Sequence, residues 1–404
     1  MSNMSYMDKL LDGVEVEWLP LGKVIVRTKG TKITAGQMKE LHKNGAPLKI
    51  FAGGKTVAFV KFEDIPAKDI NREPSIIVKS RGVIEFEYYD KPFSHKNEMW
   101  SYHSKNDGIN IKYAYHFLRL NEPYFQNIGS RMQMPQISTP DTDKFQIPIP
   151  CPENQKKSLE IQAEIVRILD TFTELTTELT TELTARKKQY NYYRDQLLSF
   201  EEGEVEWKTL GEVGEFTYGY VAKAQEHGDA RFVRITDINA NGKLIATDSK
   251  YVDMTKENER FILKKNDLLM ARTGATYGKT MIFEEAYPAI YAGFLIKLSF
   301  DEKIINSKFY WHFAQSNLFW NQANNLVSGG GQPQFNANAL KVVKMPIPSL
   351  AEQERIVAIL DKFDALTSSI SEGLPREIAL RQQQYEYYRD LLLSFPKTDT
   401  EVAA

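Results

Sequence analysis

Apolar residues recur at helical spacing in two long stretches of the chain. In the first, Ile161, Ile165, Ile168, Phe172, Leu175 and Leu179 follow one another at steps of four and three, the seam of a heptad coil. Leu183 adds one more step of four, a stutter, and the seam resumes at Tyr190, Tyr193 and Leu197. The second stretch runs through Ile356, Ile359, Phe363, Leu366, Ile370, Leu374 and Ile378 to Tyr385, Tyr388 and Leu392. Gly373 and Pro375 interrupt it, which predicts a kink or a short break. Ahead of each seam the period changes. Runs such as SIIVK (75–79) and FILKKNDLLM (261–270) read as strands, and Gly-rich turns punctuate them, so each seam follows a mixed α/β block.

The pattern is also written twice. VEVEWLPLGKV (14–24) returns as GEVEWKTLGEV (203–213), and KYAYHF (112–117) as KFYWHF (308–313). MPQI (134–137) returns as QPQF (332–335), and PIP at 148–150 as PIP at 346–348. EIVRILD (164–170) returns as RIVAILD (355–361), and YNYYRD (190–195) as YEYYRD (385–390). The order is kept throughout, so the chain is an internal duplication. It divides into block 1–157, helix 158–199, block 200–350, helix 351–395 and a tail, 396–404. The expected fold class is α+β: two mixed α/β domains separated by two long helices packed as an antiparallel coiled coil, with pseudo-twofold symmetry. Leu10-Leu11 before GVEVEW echoes Leu197-Leu198 before EGEVEW, as if the chain began at the end of a helix. The two termini should therefore lie close together.

Composition narrows the classes. The chain has 404 residues, 42% of them hydrophobic, which supports more than one core. A single cysteine, Cys151, rules out a disulfide framework and suits a reducing compartment. No signal-like or membrane-spanning run is visible, so a cytoplasmic location is expected, with no membrane partner. The net charge is −2, but it is unevenly spread. Residues 24–135 hold 18 Lys/Arg against 11 Asp/Glu, and residues 214–345 hold 16 against 13. Two positive blocks thus sit in a negative frame.

Catalytic signatures are missing. GATYGKT (274–280) resembles a phosphate-binding loop but is one residue short between its glycines. The six histidines show no metal-ligand spacing, and no metal site is expected. His116 and His312 sit among aromatics and read as core, and Trp18 and Trp207 as packing anchors. The Asp/Asn-Pro-Pro-aromatic motif of an adenine methyltransferase is absent, and no catalytic residue is assigned.

What remains are loops suited to binding. In the second block, Arg272, Thr273, Tyr277 and Lys279 lie in a Gly-rich loop, and Gly330, Gln332 and Gln334 in another. Their counterparts in the first block are Lys79, Arg81 and Gly82, then Arg131, Gln133 and Gln136. Arginine and lysine suit phosphates or guanine, glutamine suits adenine edges, and glycine allows close approach, so these are the candidate DNA-binding residues.

Two unlike blocks, each followed by a helix that carries the IVxILDxF-like and QYxYYRDxLLSF-like runs (165–172, 189–200, 356–363 and 384–395), resemble the specificity subunit of a type I restriction–modification enzyme. The TTEL repeats inside TELTTELTTELTAR (173–186) are similar to the Thr-Ala-Glu-Leu repeats of one subgroup. The resemblance implies that each block reads one half of a split, asymmetric DNA target. It implies that the helices fix the spacing and dock two methyltransferase subunits, through Phe172, Leu175, Leu179, Leu183, Tyr193, Phe363, Leu366 and Tyr388. It further implies that two restriction subunits join. S-adenosylmethionine, ATP and magnesium would then reside on those partners and none on this chain, which would select the site without catalysing a reaction. One TTEL unit lengthens a helix by about 6 Å and turns it by roughly 40°. One base pair advances about 3.4 Å and turns roughly 34–36°. Two other readings stay open, a paralogous DNA-binding decoy and a coiled-coil adaptor without a restriction partner.

Overall fold

The computed structural model describes residues 10–11, 13–105, 108–130, 133–201, 203–328, 333–369 and 371–396. The chain forms two compact units. One joins Met1–Thr177 to Leu380–Ala404, and the other is Glu178–Ala379. In each, the predicted strands pair into three small sheets.

In the first unit, Val16–Pro20 pairs antiparallel with Gln146–Pro150. A four-stranded sheet runs in the order Ile25–Lys29, Trp100–Ser104, Ser75–Lys79, Glu85–Tyr89, antiparallel throughout. A three-stranded sheet runs Val57–Val60, Leu48–Phe51, Phe93–His95, with the last pair parallel. The second unit repeats this plan. Glu206–Thr209 pairs with Lys344–Ile347. Gly214–Tyr218, Leu295–Phe300, Leu268–Ala271 and Thr280–Ile282 form the four-stranded sheet. Tyr251–Val252, Ala230–Val233 and Ala289–Tyr291 form the three-stranded one, again with its last pair parallel. Strand order and direction therefore match where the sequences barely do. The fold is mixed α/β with an internal repeat.

Each four-stranded sheet buries one face against a helix. In the first unit the helix is Ile111–Leu120, and in the second it is Ser307–Phe313. Both start the same way: the side-chain oxygen of Asn110 or Asn306 accepts from the next two free backbone N–H groups. Ile76, Val78, Phe86 and Tyr102 share a core with Ile161, Ile165 and Leu169. Leu268, Met270, Ile296 and Leu298 share theirs with Ile356 and Leu360. The seam residues thus serve as the floor of each block. Leu11 packs in the same cluster as Leu392, Leu393 and Phe395, and the Trp18 indole donates to the Pro396 carbonyl at 3.0 Å. Leu11 and Trp18 thus meet Leu392 to Pro396 in the first unit. Trp207, the counterpart of Trp18, is exposed instead.

The first long helix is continuous from Gln155 to Leu197, 43 residues. Threonine is a modest helix former because its branched Cβ restricts the rotamer. Here the hydroxyls turn back onto the helix: Thr173, Thr176, Thr177 and Thr184 each donate to the carbonyl four residues earlier, at 2.8–3.0 Å. The second long helix is split into Leu350–Ser368 and Gly373–Leu392. Gly373 has φ +74°, and a Cβ there would lie 2.4 Å from the Ala365 carbonyl oxygen. Only glycine fits that restart.

Candidate nucleic-acid interface

The loop that follows the central strand of each four-stranded sheet is the best-defined candidate. In the first unit, Gly82 N–H donates to the Pro135 carbonyl at 2.9 Å, and Ile137 N–H to the Ser80 carbonyl at 3.0 Å. In the second, Gly274 N–H donates to the Pro333 carbonyl at 3.0 Å, and Phe335 N–H to the Arg272 carbonyl at 2.8 Å. The bridges Arg81–Gln136 and Thr273–Gln334 lie inside these pairs. Both loops turn on a left-handed glycine, Gly82 at φ +77° and Gly274 at φ +70°. The two loops predicted separately in each half are therefore one clasp, and it is built twice.

The clasp presents polar groups outward. Arg81, Gly82 and Gln133 are exposed in the first unit, and Gln334 in the second, while Gln136 is half-buried. Arg272 is held in place. Its Nε donates to the Gly293 carbonyl at 3.2 Å, and its guanidinium lies 5.2 Å from the Tyr218 ring centre and 5.3 Å from that of Phe294. Tyr218 and Phe294 are both exposed. An arginine fixed between two rings keeps its fork pre-oriented for a planar partner such as a guanine edge or a phosphate. The sequence reading did not select Tyr218 or Phe294, and no residue spacing pointed to them.

Other predicted residues lie elsewhere. Lys79 is buried, and its ammonium bridges Glu85 at 2.5 Å and Glu87 at 2.9 Å. Burial alone would lower its pKa, but the two carboxylates outweigh that and raise it, so it stays charged and tied inside the sheet. Thr273 is buried too. Tyr277 donates to the Asn324 side chain at 2.9 Å, and Lys279 lines a cleft together with Lys187 and Arg194. Arg131, Gly330 and Gln332 lie outside the described residues, as does Ile370 of the second seam.

Along the helices, several residues expected to face partners are used within the chain. Phe172 stacks on Tyr388 with centroids 5.3 Å apart, and Phe363 stacks on both Tyr193 and Tyr190, at 5.6 and 6.0 Å. Leu175, Leu179, Leu183 and Leu366 are half-buried. Tyr193 and Tyr388 stay exposed beside these stacks, at 41% and 40%, and the neighbouring matched pair, Tyr192 and Tyr387, is 61% and 65% exposed.

A second duplicated device ties each block to its long helix. Gln162 accepts from the Asn110 N–H at 2.9 Å, and Gln353 from the Asn306 N–H at 2.9 Å. Asp170 holds Lys112 at 2.6 Å and His116 at 3.1 Å. Asp361 holds Lys308 at 2.8 Å and His312 at 2.8 Å. In the second unit the far nitrogen of His312 also meets the Tyr190 hydroxyl at 3.1 Å. His312 is fully buried, and desolvation lowers its pKa more than Asp361 raises it. A neutral ring that donates Nε2–H to Asp361 and accepts at Nδ1 from Tyr190 satisfies every partner. Among the described residues no three His, Cys, Asp or Glu side chains could hold a metal, and no helix is long and apolar enough to cross a membrane.

Two copies of one sheet-and-clasp block, each seated on a long helix, define a tandem scaffold that carries two like loop clusters in one chain. Residues 33–186 and 202–380 match the type I restriction modification DNA specificity domain. The chain belongs to that family, the specificity subunits of type I restriction–modification systems. It is 38% identical over 413 residues to the EcoR124I/EcoR124II specificity subunit of Escherichia coli, covering 99% of each chain. It is 30% identical to a putative type I specificity subunit of Haemophilus influenzae, covering 98% of this chain and 99% of the other. The crystal structure of a type I S subunit from M. genitalium shares the fold with a TM-score of 0.61 at 17% identity, over 98% of this chain and 100% of that one.

Proposed function

We propose that each block reads one half of a bipartite DNA target through its clasp, and that the long helices set the unread spacer and dock two methyltransferase subunits. Two restriction subunits complete the complex, with S-adenosylmethionine, ATP and magnesium on the partner chains. The chain itself selects sequence and performs no catalysis. One observation carries this reading: the same pair of backbone hydrogen bonds closes the clasp in both halves, with Gln136 and Gln334 at matched places, while the residues beside them differ, Ser80 and Arg81 standing where the second half has Arg272 and Thr273. A shared frame with unlike tips is what reading two unlike half-sites requires.

The TTEL tract supports the spacer role. It lies inside one unbroken helix, so a unit inserted or removed acts as a rigid step of about 6 Å and roughly 40°. We assign the chain on this basis to the subgroup with tetrapeptide spacers. Tyr192 and Tyr387, exposed at matched positions, are the residues of the helices best placed to meet the methyltransferase subunits.

The test is modification-sensitive sequencing of DNA from cells that express this chain with its modification subunit. Methyl-adenine at one bipartite motif with a fixed gap is the expected result. Binding of the modification subunit without any methylated motif would replace this reading with that of a decoy or an adaptor.

A further inference from the structure

The second unit contains a cleft of about 270 Å³ where the end of the first long helix meets its block. Lys187 and Arg194 from the helix line it, with Lys279 from the block. No carboxylate lines it; the other polar walls are amides and hydroxyls, Asn191, Asn241 and Thr280 among them. Among the described residues, none of the three cations forms an ion pair.

The condition of Arg194 is unusual. Its residue is 8% exposed, and its Nε is buried without a hydrogen-bond partner. A buried guanidinium with an unmet donor is costly unless an acceptor arrives. The neighbouring acid does not supply one: Asp195 binds the backbone and side-chain nitrogens of Asn317 at 3.0 and 2.6 Å.

The repeat provides an internal control. In the first unit Arg389 occupies the place of Arg194, and its guanidinium bonds Asp390 at 2.7 and 2.9 Å. Glu85, which faces Lys79 in the strand register, takes the place of Lys279, which faces Ala271 at the end of the equivalent strand, and Glu386 stands in the place of Asn191. The first unit has thus neutralised the position that the second leaves cationic. The charge in the cleft is not a by-product of the duplication.

We propose that this cleft is a binding site for a small phosphate-bearing anion, held by Arg194 as the buried fork and by Lys187 and Lys279 as mobile point charges. The volume suits a free phosphate or a compact phosphomonoester. The three cations come from both the helix and the block, so an occupant would stiffen the joint between them. The proposal does not depend on the clasp reading, since the cleft is lined by different residues apart from Lys279.

The experiment is calorimetric titration of the full chain with inorganic phosphate, against sodium chloride at matched ionic strength. It is repeated on Arg194→Gln and on Lys187→Gln, an exposed site that spares the core. Saturable phosphate binding is expected, weakened roughly tenfold or more by Arg194→Gln and severalfold by Lys187→Gln. Equal binding in all three proteins, or a response that chloride reproduces, overturns the proposal. A duplex oligonucleotide is titrated in parallel. Absence of phosphate binding together with weaker duplex binding in both variants would assign the cleft to a DNA backbone phosphate and also overturn it. Loss of phosphate binding with the methylated motif intact supports the site and leaves the DNA reading untouched.

Discussion

Gln353 should be worth more to the second unit than its counterpart Gln162 is to the first. Gln353 is fully buried and makes three hydrogen bonds to backbone outside its own helix segment: it accepts from Asn306 N–H at 2.9 Å and donates to the carbonyls of Ile304 at 2.8 Å and Pro348 at 3.0 Å. Truncation to alanine leaves one donor and two acceptors without partners. Each such group costs about 1–3 kcal/mol when buried, and water entering the vacated volume recovers part of it, so Gln353→Ala should lose about 3–5 kcal/mol. Gln162 is equally buried, but it meets one distant backbone group, Asn110 N–H, and one hydroxyl of its own helix, Ser158, at 3.0 Å. Gln162→Ala should lose about 1–3 kcal/mol by the same reasoning. The two units need not unfold together, so the assay is hydrogen exchange across a urea series, read on peptides from each unit. A loss from Gln353→Ala no larger than that from Gln162→Ala would refute the counting of unmet backbone groups.

Acid should weaken the second unit in two stages. His312 and Asp361 both have lowered pKa values in the folded state: burial depresses His312, while at Asp361 burial pulls upward and is outweighed by bonds from His312 and Lys308. For both, the unfolded chain binds protons at a higher pH. The stabilisation is therefore complete above the ordinary histidine value of 6.5, declines as pH falls below it, and declines again below the ordinary aspartate value of 3.8. His312→Gln should flatten the upper limb in a series of melts between pH 8 and 5; an unchanged slope would contradict it. Deleting Thr180 to Leu183 removes one turn-like step and should shorten the gap of the methylated motif while both half-sites stay the same, as read by modification sequencing. Arg272→Ala should relax or abolish only the half-site read by the second block; a change confined to the other half would refute the assignment of one block to one half-site.

How legible the molecule is in its sequence depends on what each feature is made of. The helices were readable because their seams are side-chain patterns: Ile161 to Leu179 bury one face, and spacing alone reveals it. The duplication was readable because its anchors are core residues such as Ile165 and Ile356, which packing holds constant. The closure of the clasp was not readable, because Gly82 to Pro135 and Gly274 to Pro333 are main-chain hydrogen bonds that any side chains could flank. Lys79 reads as a loop residue because it opens the stretch Lys79-Ser-Arg-Gly82, the counterpart of the Gly-rich loop of the second block. The signal against it was the alternation of Glu85 and Glu87 on one face of the next strand. The Gln162 and Gln353 anchors also left a trace, a matched polar residue at the buried start of two apolar seams, which is costly unless it bonds something. The aromatic walls of Arg272 left none, since Tyr218 and Phe294 lie far from it in the chain.

The first unit is assembled from segments on either side of the second, with Leu392, Leu393 and Phe395 completing the core that Leu11 and Ile161 begin. During synthesis the second unit can close as soon as its own residues have left the ribosome, whereas the first must wait for Leu392, Leu393 and Phe395, which follow the whole of the second. A chain cut short by a stop codon or a broken message would then carry one finished block and one with an open apolar floor. Such a product exposes that apolar floor, a surface prone to aggregation and proteolysis. Placing the closing residues of the first unit after the second makes the first block the later of the two to finish, although its strands are made first.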